Sequence, residues 1–413
     1  SKGRRNEFFE AELHYNRNFN EHRVGGTVKY NQSSKIRTVD IGGDLKNGIA
    51  MRNQGVSGRV TYNWKHRYFI DFNFGYTGSE NFADGHRFGF FPAFSGAWNI
   101  GEEPLVKNNI PWMDMFKIRY SWGKVGSDNL GDDNRFPFLY SIDKVWERDG
   151  NGNIIKDDNG NPKNPLGYNF SDFGFGNFYQ GYYYSQVASP YVTWEIAKKH
   201  NLGLDISLFG DKISGSVDFF KEDREGIYMQ RNFLPAMVGL DSKPKANVGK
   251  VSSKGFDGII KVNQKIDKVH VTLRANMTYS KNEILDRDEE YNYYWYRMDK
   301  GHRVDQAKGL IALGLFKDYD DIRNSPTQSF DNFQVMPGDI KYKDVNGDGK
   351  IDDNDMVAIG ATKRPNLIYG MGASAQWNGF DVNLHFQGAG KSTYFIDGSS
   401  VYMFSLGDGW GNV

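Results

Sequence analysis

Apolar and polar residues alternate along most of the chain, in segments of roughly the 9–11 residues that a tilted strand needs to cross a bilayer. Residues 202–208, 271–279 and 380–386 follow this pattern, as do residues 68–77. In the last of these, the residues on the apolar face are Tyr68, Ile70, Phe72, Phe74 and Tyr76. A period of two predicts β-strands with one apolar face and one polar face.

The connections between these segments alternate between short and long. Four short turns are predicted at 65–67, 210–212, 266–268 and 378–379, and four long polar stretches at about 32–56, 127–197, 223–246 and 281–364. Compact soluble domains rarely carry several structureless loops longer than ~15 residues. Outer-membrane barrels, in contrast, have short periplasmic turns and long external loops. The pattern therefore predicts an all-β, transmembrane antiparallel β-barrel, with roughly fourteen strands in this chain.

Aromatic residues flank the predicted short turns. Trp64 and Tyr68 flank one turn, Trp377 and Phe380 flank another, and Phe209 precedes a third. Such positions are typical of the aromatic girdles at the two membrane surfaces. The alternative is that large aromatic residues stand at strand ends because they have a high β-propensity.

Composition agrees with a protein rich in strands and turns. The chain has 48 Gly among 413 residues, and 15% of its residues are aromatic. Mean hydropathy is −0.65, and no apolar run reaches the ~18 residues of a spanning helix. A barrel strand needs an apolar residue only at every second position, so low hydropathy fits a barrel as well as a soluble β protein.

Charge and reactive residues exclude several classes of function. The formal net charge is zero, so no global field attracts nucleic acid, and the absence of Cys excludes disulfides, thiolate metal sites and cysteine nucleophiles. The eight His residues are scattered, with no pair at metal-ligand spacing. No nucleophile elbow and no phosphate-binding glycine loop occurs. We therefore expect that the chain is not an enzyme.

Several motifs in one fixed order resemble a known family. Residues 87–98 are RFGFFPAFSGAW, 116–126 are FKIRYSWGKVG, and 193–195 with 201–205 are TWE and NLGLD. Residues 247–251 with 254–256 are NVGKV and KGF. Together they resemble SusC/RagA-type TonB-dependent outer-membrane transporters of the Bacteroidetes, from the first residues of the chain to the last.

The resemblance implies a 22-stranded barrel in the outer membrane of a Gram-negative cell, in contact with lipid. Residues 1–413 would form part of this one barrel domain, with the plug, the TonB box and the closing strands outside the chain. The implied function is import of an oligomeric nutrient, a glycan or a peptide, with a SusD-like surface lipoprotein and with TonB as partners. The alternative is an outer-membrane or surface β protein that acts as an adhesin or a carbohydrate-binding module.

Two aromatic clusters in the long stretches are candidate contacts for a ligand or a partner. They consist of Tyr182, Tyr183 and Tyr184, and of Tyr293, Tyr294, Trp295 and Tyr296. Aromatic side chains offer a large contact area at low entropic cost. The alternative is that they pack one loop against another, or against a partner protein.

Residues 344–355, within the predicted external loop 281–364, have the spacing of an EF-hand or dockerin calcium loop. The predicted ligands are the side chains of Asp344, Asn346, Asp348, Asp352 and Asp355 and the carbonyl of Lys350. Gly349 would permit the sharp turn. Position 12 is Asp in place of the usual Glu, so a shorter side chain must reach the metal. We expect a structural Ca²⁺; the alternative is an Asp/Asn/Gly-rich turn without metal.

Overall fold

The computed structural model describes residues 3–37, 49–131, 135–149, 153–157, 160–169, 178–240, 242–328 and 334–396. The strands are β1 (Arg4–Phe19), β2 (His22–Arg37), β3 (Met51–Trp64), β4 (Tyr68–Ser79), β5 (Phe88–Asn99), β6 (Met113–Ser127), β7 (Ser141–Lys144), β8 (Gly167–Asn169), β9 (Phe178–Gln180), β10 (Tyr182–Gln186), β11 (Glu195–Leu208), β12 (Ile213–Gln230), β13 (Lys245–Ile266), β14 (Val269–Asp286), β15 (Gln306–Gly309), β16 (Ala312–Leu315), β17 (Thr327–Gln328), β18 (Ile340–Tyr342), β19 (Lys350–Ile351), β20 (Val357–Thr362), β21 (Leu367–Trp377) and β22 (Phe380–Gly390).

Helices are few and short in the described part of the chain. The α-helices are α1 (Pro104–Asn109) and α2 (Tyr319–Arg323), and the 3-10 turns are Ile100–Glu102, Ala236–Val238, Trp295–Arg297 and Asp353–Asp355. None of the helices in these ranges has the length and apolar character needed to cross a membrane.

Twelve long strands form one antiparallel sheet in the order β1-β2-β3-β4-β5-β6-β11-β12-β13-β14-β21-β22. Each long strand pairs with the long strand that follows it in the chain. The all-β, antiparallel architecture predicted from the alternation is confirmed. Within the described residues, the large sheet has twelve strands against the roughly fourteen predicted, and paired segments in the long connections, such as β7 with β10, form small separate sheets.

The apolar residues of neighbouring strands meet on one face of the sheet, which we call the outward face. Val60 is opposite Phe72, Phe72 is opposite Phe94, and Phe94 is opposite Trp122. The rings of Phe72 and Phe94 lie 4.7 Å apart between centroids. Although most of these side chains are apolar, many are exposed. Such a face requires an apolar medium around it.

The opposite, inward face is polar and carries ion pairs across the strands. Arg119 of β6 forms two hydrogen bonds with the carboxylate of Asp205 on β11, at 2.8 and 2.9 Å. It also bonds both carboxylate oxygens of Asp218 on β12, at 3.1 and 2.9 Å. Arg59 pairs with Asp71 on the same face. Because a carboxylate and a guanidinium both favour a wet surface, this face fits the lumen of a barrel.

The short connections lie at one end of the sheet, the turn end. Asn378 and Gly379 have φ angles of 45° and 87°, the left-handed geometry that a type I′ hairpin requires. Five turn-end connections have two to four residues: 20–21, 65–67, 209–212, 267–268 and 378–379. The sixth, 100–112, contains α1. The predicted short turns are therefore confirmed.

Aromatic rings line the turn end on the outward face. The centroids of Trp64 and Tyr68 are 5.6 Å apart, and those of Tyr68 and Trp98 are 6.3 Å apart. Trp112 stacks on Phe209 at 5.4 Å. The rings thus form a row across neighbouring strands, as they would in an aromatic girdle.

The long connections lie at the other end, the loop end, at 38–50, 80–87, 128–194, 231–244 and 287–366. The predicted stretches 32–56 and 223–246 are too wide, because the strands on both sides continue into them. Lys35 pairs with Met51, and Gln230 pairs with Lys245. Polar and charged residues are frequent in these segments, which resembles a loop in sequence, but their backbone groups are satisfied by the sheet.

A small buried cluster anchors the loop end of the sheet. It consists of Phe82, Leu130, Val192 and Trp194, with Phe91 packed against it. The centroids of the Trp194 and Phe82 rings are 5.3 Å apart. The indole N–H of Trp194 also donates to the carbonyl of Arg87 at 3.2 Å. The cluster ties connection 80–87 to both ends of connection 128–194.

Candidate binding surface at the loop end

The connection 287–366 is folded onto the sheet and is not a structureless loop. It contains β15 to β20 and α2, and Ala307, Phe316 and Ile351 are buried in it. Its first turn returns to β14, where Ile284 donates to the carbonyl of His302 and accepts from Gly301, both at 2.8 Å. These hydrogen bonds attach the connection 287–366, and the aromatic cluster within it, to the sheet.

The aromatic cluster around Trp295–Arg297 consists of half-buried rings and exposed rings. The hydroxyl of Tyr296 donates to the carbonyl of Asn354 at 2.7 Å, and the hydroxyl of Tyr294 accepts from the amide of Asn346 at 3.3 Å. Both residues are half-buried against the loop 344–355. These two predicted contact residues therefore serve the packing of loop against loop that was the alternative interpretation.

The other aromatic residues of this cluster point to solvent. Tyr293 is 83% exposed and Trp295 is 75% exposed, and their neighbour Tyr291 is 81% exposed. Tyr293 packs edge-on against Tyr294, and Trp295 packs edge-on against Tyr296. The half-buried rings of Tyr294 and Tyr296 thus support the exposed rings of Tyr293 and Trp295. We call Tyr291, Tyr293 and Trp295 the aromatic platform.

Charged groups fix the base of this platform. The ammonium group of Lys308 donates to Asp299 at 2.7 Å and to the carbonyl of Arg297 at 2.6 Å. Arg287 pairs with the same aspartate. Burial opposes ionisation of Asp299, but Lys308 and Arg287 outweigh it, so the pKa of Asp299 lies below its usual value. The carboxylate is therefore charged at neutral pH and ties Trp295–Arg297 to β15.

The second predicted cluster lies in β10, which pairs with β7. Tyr182 and Tyr184 share one face of β10 and are exposed, and Tyr140 packs edge-on against Tyr184 at 6.3 Å. Tyr183 is on the other face, where its hydroxyl accepts from Arg148 at 3.4 Å. Two of the three tyrosines are thus available to a ligand or partner.

The loop 344–355 has a sharp turn at the predicted glycine, since Gly349 has a φ of 82°. The carboxylate of Asp344 accepts from the N–H groups of Gly347 at 2.6 Å and Gly349 at 2.8 Å. Asp355 is fully buried and accepts from the N–H groups of Val345 and Asp352, at 2.8 and 2.9 Å. The side chains at both ends of the predicted calcium loop therefore bind its backbone.

The remaining predicted ligands make local contacts of the same kind. Asp348 accepts from the N–H of Lys350 at 2.9 Å, and Asp352 accepts from the N–H of Asn354 at 2.7 Å. The side chain of Asn346 accepts from the N–H of Asp348 at 3.0 Å. Across the described ranges, no group of three or more His, Asp or Glu side chains is arranged to hold a metal ion. Calcium at this loop stays a prediction.

Two polar centres of this protein were not predicted from its sequence. One is Arg119 with Asp205 and Asp218 on the inward face, and the other is Lys308 with Asp299 at the base of the platform. For Arg119, the signal in the sequence was a charge on the polar side of an alternating strand. Pairing it with Asp205 and Asp218 needs the register of strands, because these partners lie 86 and 99 residues away in the chain.

Several known proteins are similar to this chain in sequence. A TonB-dependent receptor of Formosa agariphila, P26, is 24% identical over 375 residues, which are 86% of this chain and 34% of that receptor. The TonB-dependent receptor SusC of Bacteroides thetaiotaomicron is 24% identical over 361 residues, 84% of this chain and 32% of SusC. The chain is similar to TonB-dependent receptors. No family model matches it.

Solved structures show the same fold. The RagAB peptide importer in its open-open state superposes with a TM-score of 0.66, at 15% identity, over 95% of this chain and 41% of that chain. Its closed-closed state gives a TM-score of 0.65. The chain spans about a third of the length of the curated relatives that it matches. The predicted resemblance to SusC/RagA-type receptors and the outer-membrane location are confirmed.

The names of these relatives are those of receptors and importers. None is the name of an enzyme, and the prediction that the chain is not an enzyme is confirmed by its relatives.

Proposed function

We propose that this chain forms the wall and external loops of an outer-membrane importer that takes up an oligomeric nutrient, a glycan or a peptide. One observation carries the proposal. Twelve strands place apolar side chains on the outward face and ion-paired polar side chains on the inward face, with an aromatic girdle at the turn end. A wall with lipid outside and water inside is the structure of a transmembrane pore.

The size of the loop-end surface supports import of an oligomer in preference to a small solute. Connections 128–194 and 287–366 contain small sheets of their own, which present exposed aromatic residues. Several such rings are suited to a ligand with repeated units, because sugar faces and peptide side chains both pack on aromatic rings. The name of the RagAB peptide importer suggests a peptide, and the name of SusC carries no substrate.

The proposed partners are TonB, as the names of the relatives suggest, and a SusD-like surface lipoprotein. The arm formed by residues 139–186 is the proposed docking surface for the lipoprotein. Large apolar side chains are exposed along it, among them Tyr140, Ile142, Tyr168, Tyr182 and Tyr184. An exposed apolar surface of this extent is typical of an interaction site.

An uptake experiment tests the proposal. Cells that carry the complete protein are given a fluorescent oligosaccharide mixture or a fluorescent oligopeptide mixture, with and without TonB. Import predicts that one class of probe enters the periplasm only when TonB is present. An adhesin or carbohydrate-binding protein would hold the probe at the cell surface, equally well in both strains.

A deletion tests the partner. Replacing residues 139–186 by a short Gly/Ser linker retains the buried residues Leu130, Phe136 and Val192, so the barrel should still fold. We expect the lipoprotein to be lost on purification of the complete protein, while shortening of 231–244 leaves it bound. Retention of the lipoprotein by the first variant would rule out the arm as its docking surface.

A further inference from the structure

On three adjacent strands, the outward face ends toward the loop end in a row of aromatic rings. Phe219 of β12 is directly opposite Phe256 of β13, which is directly opposite Tyr279 of β14. The ring centroids lie 6.2 and 6.1 Å apart. Aromatic girdles mark the two boundaries of the apolar band of a barrel. This row therefore marks the boundary nearest the external loops.

One pleat repeat beyond the aromatic row, about 7 Å along the strands, the same face carries three lysines in register. Lys221 is opposite Lys254, and Lys254 is opposite Lys281. All three are exposed. We call them the lysine row. On β11 the row continues with His200, which is opposite Lys221 and shares a hydrogen bond of 2.8 Å with a tyrosine hydroxyl.

Like charges that face each other across strands destabilise a sheet. One of the three lysines is neutralised, since Lys221 pairs with Asp223 at 2.7 Å. Lys254 and Lys281 form no ion pair with any residue in the described ranges. The next outward row contains Ser252 opposite Asp223 and opposite Glu283, so the nearest further carboxylate lies one repeat higher. The lysine row thus has an excess of positive charge at the edge of the apolar band.

We propose that the lysine row binds the phosphates of a phosphorylated glycolipid in the outer leaflet, whose acyl chains lie against Phe219, Phe256 and Tyr279. The proposal rests on the outer-membrane orientation of the proposed function, with the loop end outside. The ligand must join negative charge to apolar chains within a few ångströms, as a lipid headgroup does. Lysine stems lie along apolar surface while their ammonium groups reach the headgroup level.

The width of the row favours a headgroup with two phosphates. Three neighbouring strands span two interstrand steps, roughly 10 Å. A single phosphodiester would engage one or two of the lysines, whereas an acylated sugar with two phosphates engages the whole row. Each lysine provides three N–H donors for phosphate oxygens.

Binding of a purified glycolipid to the complete protein tests this site. The probes are a bisphosphorylated, acylated glucosamine disaccharide and the same glycolipid without its phosphates, each in mixed micelles. For a Lys254→Gln/Lys281→Gln variant, we expect binding of the phosphorylated probe to weaken by roughly tenfold to thirtyfold. The dephosphorylated probe should not distinguish the variant from the wild type. Lys254→Arg/Lys281→Arg should retain binding.

The matched control is Lys261→Gln/Lys265→Gln, which removes two exposed lysines from the inward face of β13. Equal losses in control and test variants, or no loss in either, would overturn the proposal. Equally tight binding of phosphatidylglycerol vesicles or inorganic phosphate would show a general anion surface and overturn it too. If the test variant does not fold, thermal stabilisation of the wild type by the two probes decides. Intact uptake with a failed lipid test would leave the proposed function standing.

Discussion

The hydroxyl of Tyr296 donates a hydrogen bond to the backbone carbonyl of Asn354, at 2.7 Å. These residues are 58 positions apart in the chain. The bond attaches the aromatic platform to the 3-10 turn at the end of the loop 344–355. The position of the platform therefore depends on the loop 344–355, which contributes no aromatic residue to it.

Removing this hydrogen bond should loosen the platform. For Tyr296→Phe we expect a local loss of about 0.5–1.5 kcal/mol, because one hydrogen bond disappears while the ring remains. Hydrogen exchange of residues 291–298 should accelerate several-fold. Tyr293→Phe is the control, since Tyr293 is exposed and should leave the exchange unchanged. Equal exchange in both variants would show that Tyr296 does not support the platform.

Acid should weaken the base of the platform. The pKa of Asp299 is lower in the folded protein than its usual value. The ion pairs of Asp299 with Lys308 and Arg287 therefore stabilise the fold at every pH above that usual pKa. The stabilisation is lost as the pH falls through the lowered pKa, a change that we expect to begin below about pH 4. Hydrogen exchange or tryptophan fluorescence of Trp295 should report it. The Asp299→Asn variant should be looser at neutral pH and show no such transition.

Arginine substitutions should distinguish the two faces of β14. Leu273→Arg introduces a charge on the outward face and should cost about 2–4 kcal/mol if the residue lies at the bilayer midplane. Asn276→Arg, on the inward face of the same strand, should cost much less. Refolding into lipid vesicles under urea measures both. Similar losses for the two variants would contradict the assignment of the faces.

Spin labels provide an independent test of the same assignment. A label at Leu384 should be more accessible to oxygen than to a water-soluble relaxant, and so should a label at Leu204. A label at Asn383, on the inward face of β22, should show the reverse. A water-accessible label at Leu384 in the complete protein would contradict the lipid-facing assignment.

Calcium at residues 344–355 is decided by calorimetric titration of the EDTA-treated protein. We expect binding in the wild type that Asp348→Ala abolishes, with Asp381→Ala on the inward face of β22 as the control. The carboxylates of Asp344 and Asp348 already accept backbone hydrogen bonds, so a metal ion would bind to their remaining lone pairs. If the wild type does not titrate at millimolar calcium, the segment is a turn stabilised by its own side chains.

The sequence was sufficient for the alternation and the turns, but not for the ends of the strands. Period two and the Asn378-Gly379 dipeptide are local signals, so the outward face and the hairpin were predictable. The segments that lead to Lys35 and Gln230 contain many polar and charged residues and resemble loops in sequence. Only pairing with Met51 and Lys245 shows that they are strands.

The aromatic cluster shows why the site was only partly predictable. Tyr293 to Tyr296 are neighbours in sequence and similar in chemistry, yet two are half-buried and two are exposed. Their partners lie in the loop 344–355, and nothing local identifies that contact. The same holds for Arg119 and its two aspartates, which lie on different strands of the sheet.

The length of β13 has a consequence for how the molecule meets its surroundings. The strand has 22 residues, roughly 70 Å of extended backbone, about twice what a tilted strand uses inside lipid. Together with β12 and β14, it extends beyond the bilayer on the external side as a hydrogen-bonded sheet. Along the sides of this extension, an external protease would meet hydrogen-bonded strands, which resist cleavage. Cleavage should therefore be confined to the connections between strands at the loop end. An arriving macromolecule should first contact the protein at these connections, well above the lipid headgroups.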